Sequence, residues 1–184
     1  MTAKIKLNAA SGGGSFSLQA PSSSANNRVI TLPDIADGTL LTNQTAGTVL
    51  QVKNMIIAGE FSTTSATYAD NGLTLAITPS ATTSKILVLI NYLGAMNSNA
   101  NGQQVKLKIF RDSTALFTSP SPYMRIRANN SSDVLLYAGQ FLSYLDSPST
   151  TSSVTYKSQS AMTGGGGTHY LTNGSNMTLL EVAA

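Results

Sequence analysis

The side chains that most often carry catalysis are few in this sequence and lie far apart. Its 184 residues include one histidine, His169, and no cysteine, so a thiol nucleophile, a disulfide and a thiolate metal site are excluded. A histidine-based triad or metal site would need carboxylate partners. His169 follows a run of four glycines, and we predict that it is a polar residue of a loop or of the surface.

Most of the eight carboxylates stand beside turn-forming residues, as in Asp37-Gly38, Asp70-Asn71-Gly72, Asp112-Ser113 and Asp146-Ser147-Pro148. An Asp side chain accepts hydrogen bonds from the backbone amides of a turn, which explains these positions without catalysis. A glycosidase pair contributed by distant loops stays open as an alternative. No calcium-loop spacing and no phosphate-binding glycine motif are present. We therefore predict no enzyme activity, no cofactor and no metal.

Charge is sparse throughout the chain. Charged residues make up 10% of it and the net charge is +3, whereas soluble proteins average roughly 25% charged residues. The densest cationic groups are Lys106/Lys108/Arg111 and Arg125/Arg127, whose spacing is that of solvated strand faces. Nucleic acid is therefore not an expected partner. No run approaches the roughly 20 apolar residues of a membrane helix, so membrane insertion is not expected either.

The chain from residue 48 to residue 184 reads as a series of strands. Apolar and polar residues alternate in Leu73–Thr78 and in Gln103–Arg111, where Val105, Leu107 and Ile109 are predicted to face inward. Gly, Asn, Pro and Ser interrupt the runs about every 8–15 residues, which is typical of a β-sandwich. We predict an all-β protein with a jelly-roll-like antiparallel β-sandwich at residues 48–184.

Two of these strands, Lys85–Leu93 and Val134–Leu145, are apolar on both faces. In a two-layer sandwich the partner sheet covers only one face, so the second face needs another cover. We predict a homotrimer with these strands toward the symmetry axis; burial under a long loop is the alternative. The interface candidates are Leu87, Leu89, Tyr92, Leu135, Tyr137 and Phe141.

Residues 1–47 form a different region, an N-terminal extended β-segment too small and too polar to hold a core. Lys4–Asn8 and Ser15–Gln19 read as short strands on either side of a flexible Gly/Ser joint. An isolated two-stranded unit is marginally stable in water. We therefore interpret this region as an attachment or interlocking element, whose contact residues are Phe16, Leu18, Val29, Ile30 and Leu32.

Two stretches resemble a known group of proteins. Gly14-Ser-Phe-Ser-Leu-Gln-Ala-Pro, followed by Arg28-Val-Ile-Thr-Leu-Pro-Asp, resembles the N-terminal module of tail-fibre-like and structural proteins of marine bacteriophages, including those that infect cyanobacteria. Tyr144-Leu-Asp-Ser-Pro through Tyr156-Lys resembles a strand–loop–strand of their C-terminal β-domain. The resemblance implies a trimeric β-sandwich head and carries no catalytic residues. The chain departs from a long fibre because it has no shaft repeats.

The function expected from these features is that of a phage virion structural protein. A homotrimeric, tail-fibre-like appendage on the outer surface of the particle is the first hypothesis, with other virion proteins as partners and with exposed loops that touch a host-surface glycan. A capsid decoration or cement protein is the second hypothesis. A carbohydrate-binding or carbohydrate-active module is the alternative from another class.

Overall fold

The structure, a computed structural model, describes residues 4–8, 11–13, 15–19, 46–98, 102–119, 122–126, 134–164 and 166–184. Within these residues the regular elements are strands. The chain divides into two compact units, Met1–Thr39 and Leu40–Ala184. The division at residues 47 and 48 stays a prediction, as do the roles of the two regions.

The first unit contains the antiparallel strands β1 (Lys4–Asn8) and β2 (Ser15–Gln19), as the sequence predicts. In their register Leu7 lies opposite Phe16 and Ile5 lies opposite Leu18. The other three N-terminal contact candidates, Val29, Ile30 and Leu32, lie outside the described residues.

The second unit is built from eleven described strands. They are β3 (Val49–Ile56), β4 (Phe61–Thr63), β5 (Ala69–Ile77), β6 (Lys85–Ser98), β7 (Gln103–Arg111), β8 (Thr114–Thr118), β9 (Met124–Ile126), β10 (Val134–Asp146), β11 (Val154–Thr163), β12 (Gly167–Leu171) and β13 (Asn176–Val182).

These strands form two antiparallel sheets in jelly-roll order. In the first sheet β3, β13, β6 and β10 lie side by side, and β12 with β4 extends the sheet along the second half of β6. The second sheet has the order β5, β11, β7, β8, with β9 also on β7. The long strands alternate between the sheets along the chain: β3, β6, β10 and β13 belong to the first sheet, and the intervening β5, β7 and β11 belong to the second. This wrapping is that of a jelly roll, so the predicted sandwich is confirmed.

The core lies between the sheets and is supplied by alternate residues of each strand. On β7 the residues Val105, Leu107 and Ile109 are fully buried, as predicted, while Lys106 and Lys108 lie on the opposite face. On β6 all the even-numbered residues from Ile86 to Ser98 are buried, and so is Ala95.

Candidate assembly interface

The outer face of the first sheet carries a row of apolar side chains that crosses four strands. Val52 on β3 lies opposite Leu180 on β13, Leu180 lies opposite Leu87 on β6, and Leu87 lies opposite Leu145 on β10. Leu87 and Leu180 in the middle of the row are half-buried, whereas Val52 and Leu145 at its two ends are more than half exposed. Strand pairing therefore lines up four large apolar groups on a surface that the partner sheet does not cover.

Further apolar residues extend this row along the sheet. The same outer face includes the exposed side chains of Leu93 on β6 and of Tyr137 and Phe141 on β10, which are 71% and 62% exposed. We call the apolar face the set Val49, Val52, Ile56, Leu87, Leu89, Leu93, Leu135, Tyr137, Phe141, Leu145, Leu180 and Val182. Exposed apolar surface of this extent is unusual in monomeric proteins, which makes this face the candidate interface.

Five of the six predicted interface candidates lie on this face: Leu87, Leu89, Leu135, Tyr137 and Phe141. The prediction for the sixth, Tyr92, is wrong, because its side chain is 4% exposed and points between the sheets. It is an even-numbered residue of β6, and strand alternation sends it to the face opposite to Leu87 and Leu89. Its ring packs edge-on against Tyr123 at 5.9 Å, so it is a core residue.

The outer face of the second sheet has a different character. It carries Lys106, Lys108 and Lys157. Lys157 pairs with Asp70 at 3.2 Å, and the ammonium of Lys108 lies 4.1 Å from the ring centre of Tyr68. The two outer faces of the sandwich therefore differ sharply, since one is apolar and the other cationic and solvated.

Arg111 does not belong to this cationic face, contrary to the sequence-based grouping. Its odd number places it with Val105 and Ile109 on the inward side of β7. There its Nη1 lies 2.7 Å from Oδ2 of Asp146 on β10. The hydroxyl of Tyr156 on β11 donates a hydrogen bond to the same oxygen at 2.7 Å. Burial, followed by the neighbouring Asp146 carboxylate, raises the pKa of Tyr156 far above its ordinary value.

Asp146 and Asp70 do not occupy turns, contrary to the prediction from the sequence. Asp146 is the last residue of β10 and is buried, and Asp70 is the second residue of β5. Asp112 does have the turn role, because it adopts a left-handed backbone (φ 51°) and its Oδ1 accepts a hydrogen bond from the Thr155 amide.

Glu181 on β13 is a fully buried carboxylate that sequence reasoning did not single out. Its Oε1 accepts hydrogen bonds from the amide and the hydroxyl of Ser80, both at 2.6 Å, and its Oε2 accepts one from Gln51 at 2.6 Å. Burial alone would raise its pKa, but these donors outweigh burial and lower the pKa to about 2. A carboxylate held this way fastens the loop before β6 to the sheet and has little basicity for proton transfer.

His169 is buried rather than exposed, which corrects the prediction of a loop or surface position. It lies on β12 with 3% of its surface exposed, and burial lowers its pKa to about 4. Its Nδ1 has no hydrogen-bond partner among the described residues. The signal that could have placed it was alternation in Thr-His-Tyr-Leu, where His169 shares the inward face with Leu171.

The described residues contain no group of three or more His, Asp or Glu side chains placed to hold a metal ion. Within the same ranges, no helix is long and apolar enough to cross a membrane.

Comparisons with known proteins concern the fold of the chain. No protein-family model matches it, and no curated protein matches it. Among solved structures, the chain is similar to a structure of infectious bursal disease virus Gt strain, with 11% identity and a TM-score of 0.41 over 91% of this chain and 43% of that one. It is also similar to the VP2 subviral particle of the same virus, with 11% identity and a TM-score of 0.39 over 90% and 42%. The chain thus spans less than half the length of these proteins.

Proposed function

We propose that this protein is a structural component of a bacteriophage virion, a homotrimeric surface appendage whose subunits meet through the apolar face. The observation that carries the proposal is the four-strand row Val52–Leu180–Leu87–Leu145, which is apolar from one edge of the sheet to the other. The resemblance of the N-terminal stretch to tail-fibre-like phage proteins supplies the biological setting.

The apolar face is a little smaller than a typical protein–protein contact. The four strands lie side by side only along the 7 residues of β13, which at about 4.8 Å and about 3.3 Å spacing give roughly 19 Å by 23 Å, or about 440 Å². β6 and β10 continue beyond β13 and add roughly 10 Å by 23 Å, or about 230 Å². A stable contact covers about 800 Å² on each partner, so a ring, in which each subunit touches two neighbours, also needs surface next to this face.

A threefold arrangement uses both ends of the apolar row. A ring is closed by heterologous contacts, in which one edge of a subunit meets the other edge of the next. Leu145 at the β10 edge of one copy would pack against Val52 at the β3 edge of its neighbour, while Leu87 and Leu180 line the axis. Each exposed end of the row is then covered by an identical subunit.

The N-terminal region 1–47 would attach this trimer to the particle through Phe16, Leu18, Val29, Ile30 and Leu32. A double variant, Phe16→Ser with Leu32→Ser, is expected to remain trimeric in solution and to be missing from purified particles. Incorporation of this variant at the wild-type level would contradict the attachment role. Localising tagged wild-type chain on intact particles by electron microscopy distinguishes a tail appendage from a capsid decoration protein.

Light scattering tests the trimer directly. At micromolar concentration the wild-type protein should have about three times the chain mass of 19.1 kDa. The double variant Leu87→Asp with Leu145→Asp should be monomeric, because it places charges in the apolar contact. Thr74→Asp is the matched control, since it adds a charge to an exposed strand position of the other sheet. A monomeric wild-type protein would contradict the proposed assembly.

A further inference from the structure

A diagonal row of four cationic side chains crosses the outer face of the second sheet. Lys106 and Lys108 lie two residues apart on β7, between inward-facing buried residues. Lys157 on β11 lies beside the position two residues beyond Lys108, and Arg125 on β9 lies beside the position two residues before Lys106. Because opposed residues of neighbouring strands share a face, all four side chains point away from the core. We call these four residues the cationic row.

The cationic row is about 23 Å long when it is measured along the backbone positions of its members. Residues two apart in a strand are separated by about 6.8 Å, and neighbouring strands by about 4.8 Å. Lys157 and Arg125, at the two ends, therefore each lie about 8 Å from the nearer lysine of β7. Charges spaced evenly along a line suit a linear polymer whose anionic groups recur along its length.

The described carboxylates of this sheet lie near one end of the cationic row. Asp70 pairs with Lys157 at 3.2 Å, and Asp112 accepts a hydrogen bond from the amide of Thr155, two residues before Lys157. The other three members of the row form no ion pair within the described ranges. Three cations in succession therefore lack a counter-charge, and such a surface raises the local concentration of anions.

Two aromatic rings beside the row are already engaged by its own lysines. The ammonium of Lys108 lies 4.1 Å from the ring centre of Tyr68, and the ammonium of Lys157 lies 5.8 Å from that of Phe110. These contacts position the ammonium groups and leave their charge intact, since the rings are neutral. Proteins bind single-stranded nucleic acids through aromatic rings on which the bases stack. The row therefore favours a polyanion that has no bases.

Uncharged polar side chains flank the cationic row. Gln104 and Gln159 lie on the same face and on the same strands as the lysines, and Thr118 on β8 lies opposite Lys108. Amide and hydroxyl groups can both donate and accept hydrogen bonds. The flanking groups thus provide the contacts that the hydroxyls of a saccharide require.

We infer that the outer face of the second sheet binds an anionic polysaccharide, whose carboxylate or sulfate groups contact the cationic row. This face lies on the opposite side of the sandwich from the apolar face, so contact between copies through the apolar face leaves the row accessible. The inference rests on the proposed role at the virion surface and gives the host-surface glycan a chemical class. A trimer presents three such rows, which raises the apparent affinity for one long polymer.

Surface plasmon resonance with immobilised alginate, which carries carboxylates, and with uncharged dextran tests the inference. The wild-type protein should bind alginate and not dextran. Its affinity should fall by roughly tenfold or more between about 50 mM and about 200 mM salt, because three or four charge contacts release counterions. Lys106→Gln with Lys108→Gln removes the middle of the row and should weaken alginate binding by roughly tenfold or more.

Lys53→Gln with Lys85→Gln is the matched control, because it removes the same charge from exposed positions of the first sheet. It should leave alginate binding close to that of the wild-type protein. Lys106→Arg with Lys108→Arg keeps the charge and should keep the binding, which separates charge from packing. Equal losses for the two glutamine variants, or no binding by the wild-type protein, would overturn the inference.

An immobilised single-stranded oligothymidylate distinguishes the two classes of polyanion. Tighter binding of oligothymidylate than of alginate would assign the row to nucleic acid and overturn the polysaccharide site.

Measuring the mass of every sample separates this inference from the proposed trimer. Alginate binding by a monomeric wild-type protein, lost in Lys106→Gln with Lys108→Gln, would support the cationic row and contradict the trimer. A trimeric wild-type protein that does not bind alginate would support the trimer and overturn the polysaccharide site.

Discussion

Nη1 of Arg111 lies 2.7 Å from Oδ2 of Asp146, and this contact joins the two sheets of the sandwich at one end. Arg111 belongs to β7 of the second sheet and Asp146 to β10 of the first. The pair is largely buried, with 22% and 7% of the two side chains exposed. Because burial removes both charges from water, each needs the other to remain satisfied.

Replacement of Asp146 by Asn should destabilise the β-sandwich strongly. The change leaves the guanidinium of Arg111 without its counter-charge at a largely buried position, and breaking such a pair costs about 3 kcal/mol. The measurement is the free energy of unfolding in urea at fixed protein concentration.

The matched control for this prediction is Lys157→Gln, which breaks the more exposed pair between Lys157 and Asp70. An exposed pair contributes about 0–1 kcal/mol, so the control should unfold close to the wild-type protein. Equal losses for the two variants would mean that burial does not decide the strength of these pairs here.

Glu181 should make the fold sensitive to strong acid. Its pKa in the folded chain is about 2, below its ordinary value of 4.5, so the unfolded chain binds its proton first as the pH falls. The stabilisation is complete above pH 4.5 and is lost between pH 4.5 and pH 2, with a magnitude on the order of 3 kcal/mol. Glu181→Gln should flatten the stability curve in that window. A curve with an unchanged slope would contradict the assignment.

Protonation of His169 should lower the stability of the fold separately, at higher pH than protonation of Glu181. Its pKa is about 4 in the folded chain, and an unfolded histidine titrates near 6.5. Stability is therefore highest above pH 6.5 and falls between pH 6.5 and pH 4, because protonation favours the unfolded chain. His169→Gln should remove this step and leave the Glu181 step in place. Urea unfolding followed from pH 7 to pH 3 resolves the two windows.

Alternation along the strands is what made the fold readable from the sequence. The runs around Leu73, Val105 and Val154 each bury every second residue, which a one-sided strand displays directly. The two-sided runs of β6 and β10 also indicated a second apolar surface. In these two strands it was harder to assign each residue to a face, because the inward and the outward residues are both largely apolar. Tyr92 was placed on the wrong face for that reason.

The buried polar residues could not be placed from the sequence. Asp146 precedes Ser147-Pro148 and resembles a turn residue locally, but its role depends on Arg111, 35 positions away in the chain. Glu181 likewise depends on Ser80, 101 positions away. Local pattern carries no information on such pairs, which form only when distant parts of the chain come together.

Gly164 should tolerate substitution poorly, because a positive φ and a close backbone neighbour both oppose a side chain there. Its φ of 110° is rarely adopted by other residues, and a Cβ there would lie 2.8 Å from the Gly102 carbonyl oxygen. Both obstacles involve backbone and cannot be relieved by a side-chain rotation. Gly164→Ala should therefore lower the free energy of unfolding by about 2 kcal/mol, through backbone strain and overpacking together.

Gly139→Ala on β10 provides the control for this effect. A Cβ at position 139 would meet only Leu93 Cδ2 at 3.8 Å, an ordinary contact, and its φ is not positive. Within a strand, Ala is favoured over Gly by roughly 0.5–1 kcal/mol. The two Gly→Ala changes should thus have opposite signs in urea unfolding. A loss for Gly139→Ala as large as that for Gly164→Ala would show that the contact between residues 102 and 164 is not what requires glycine.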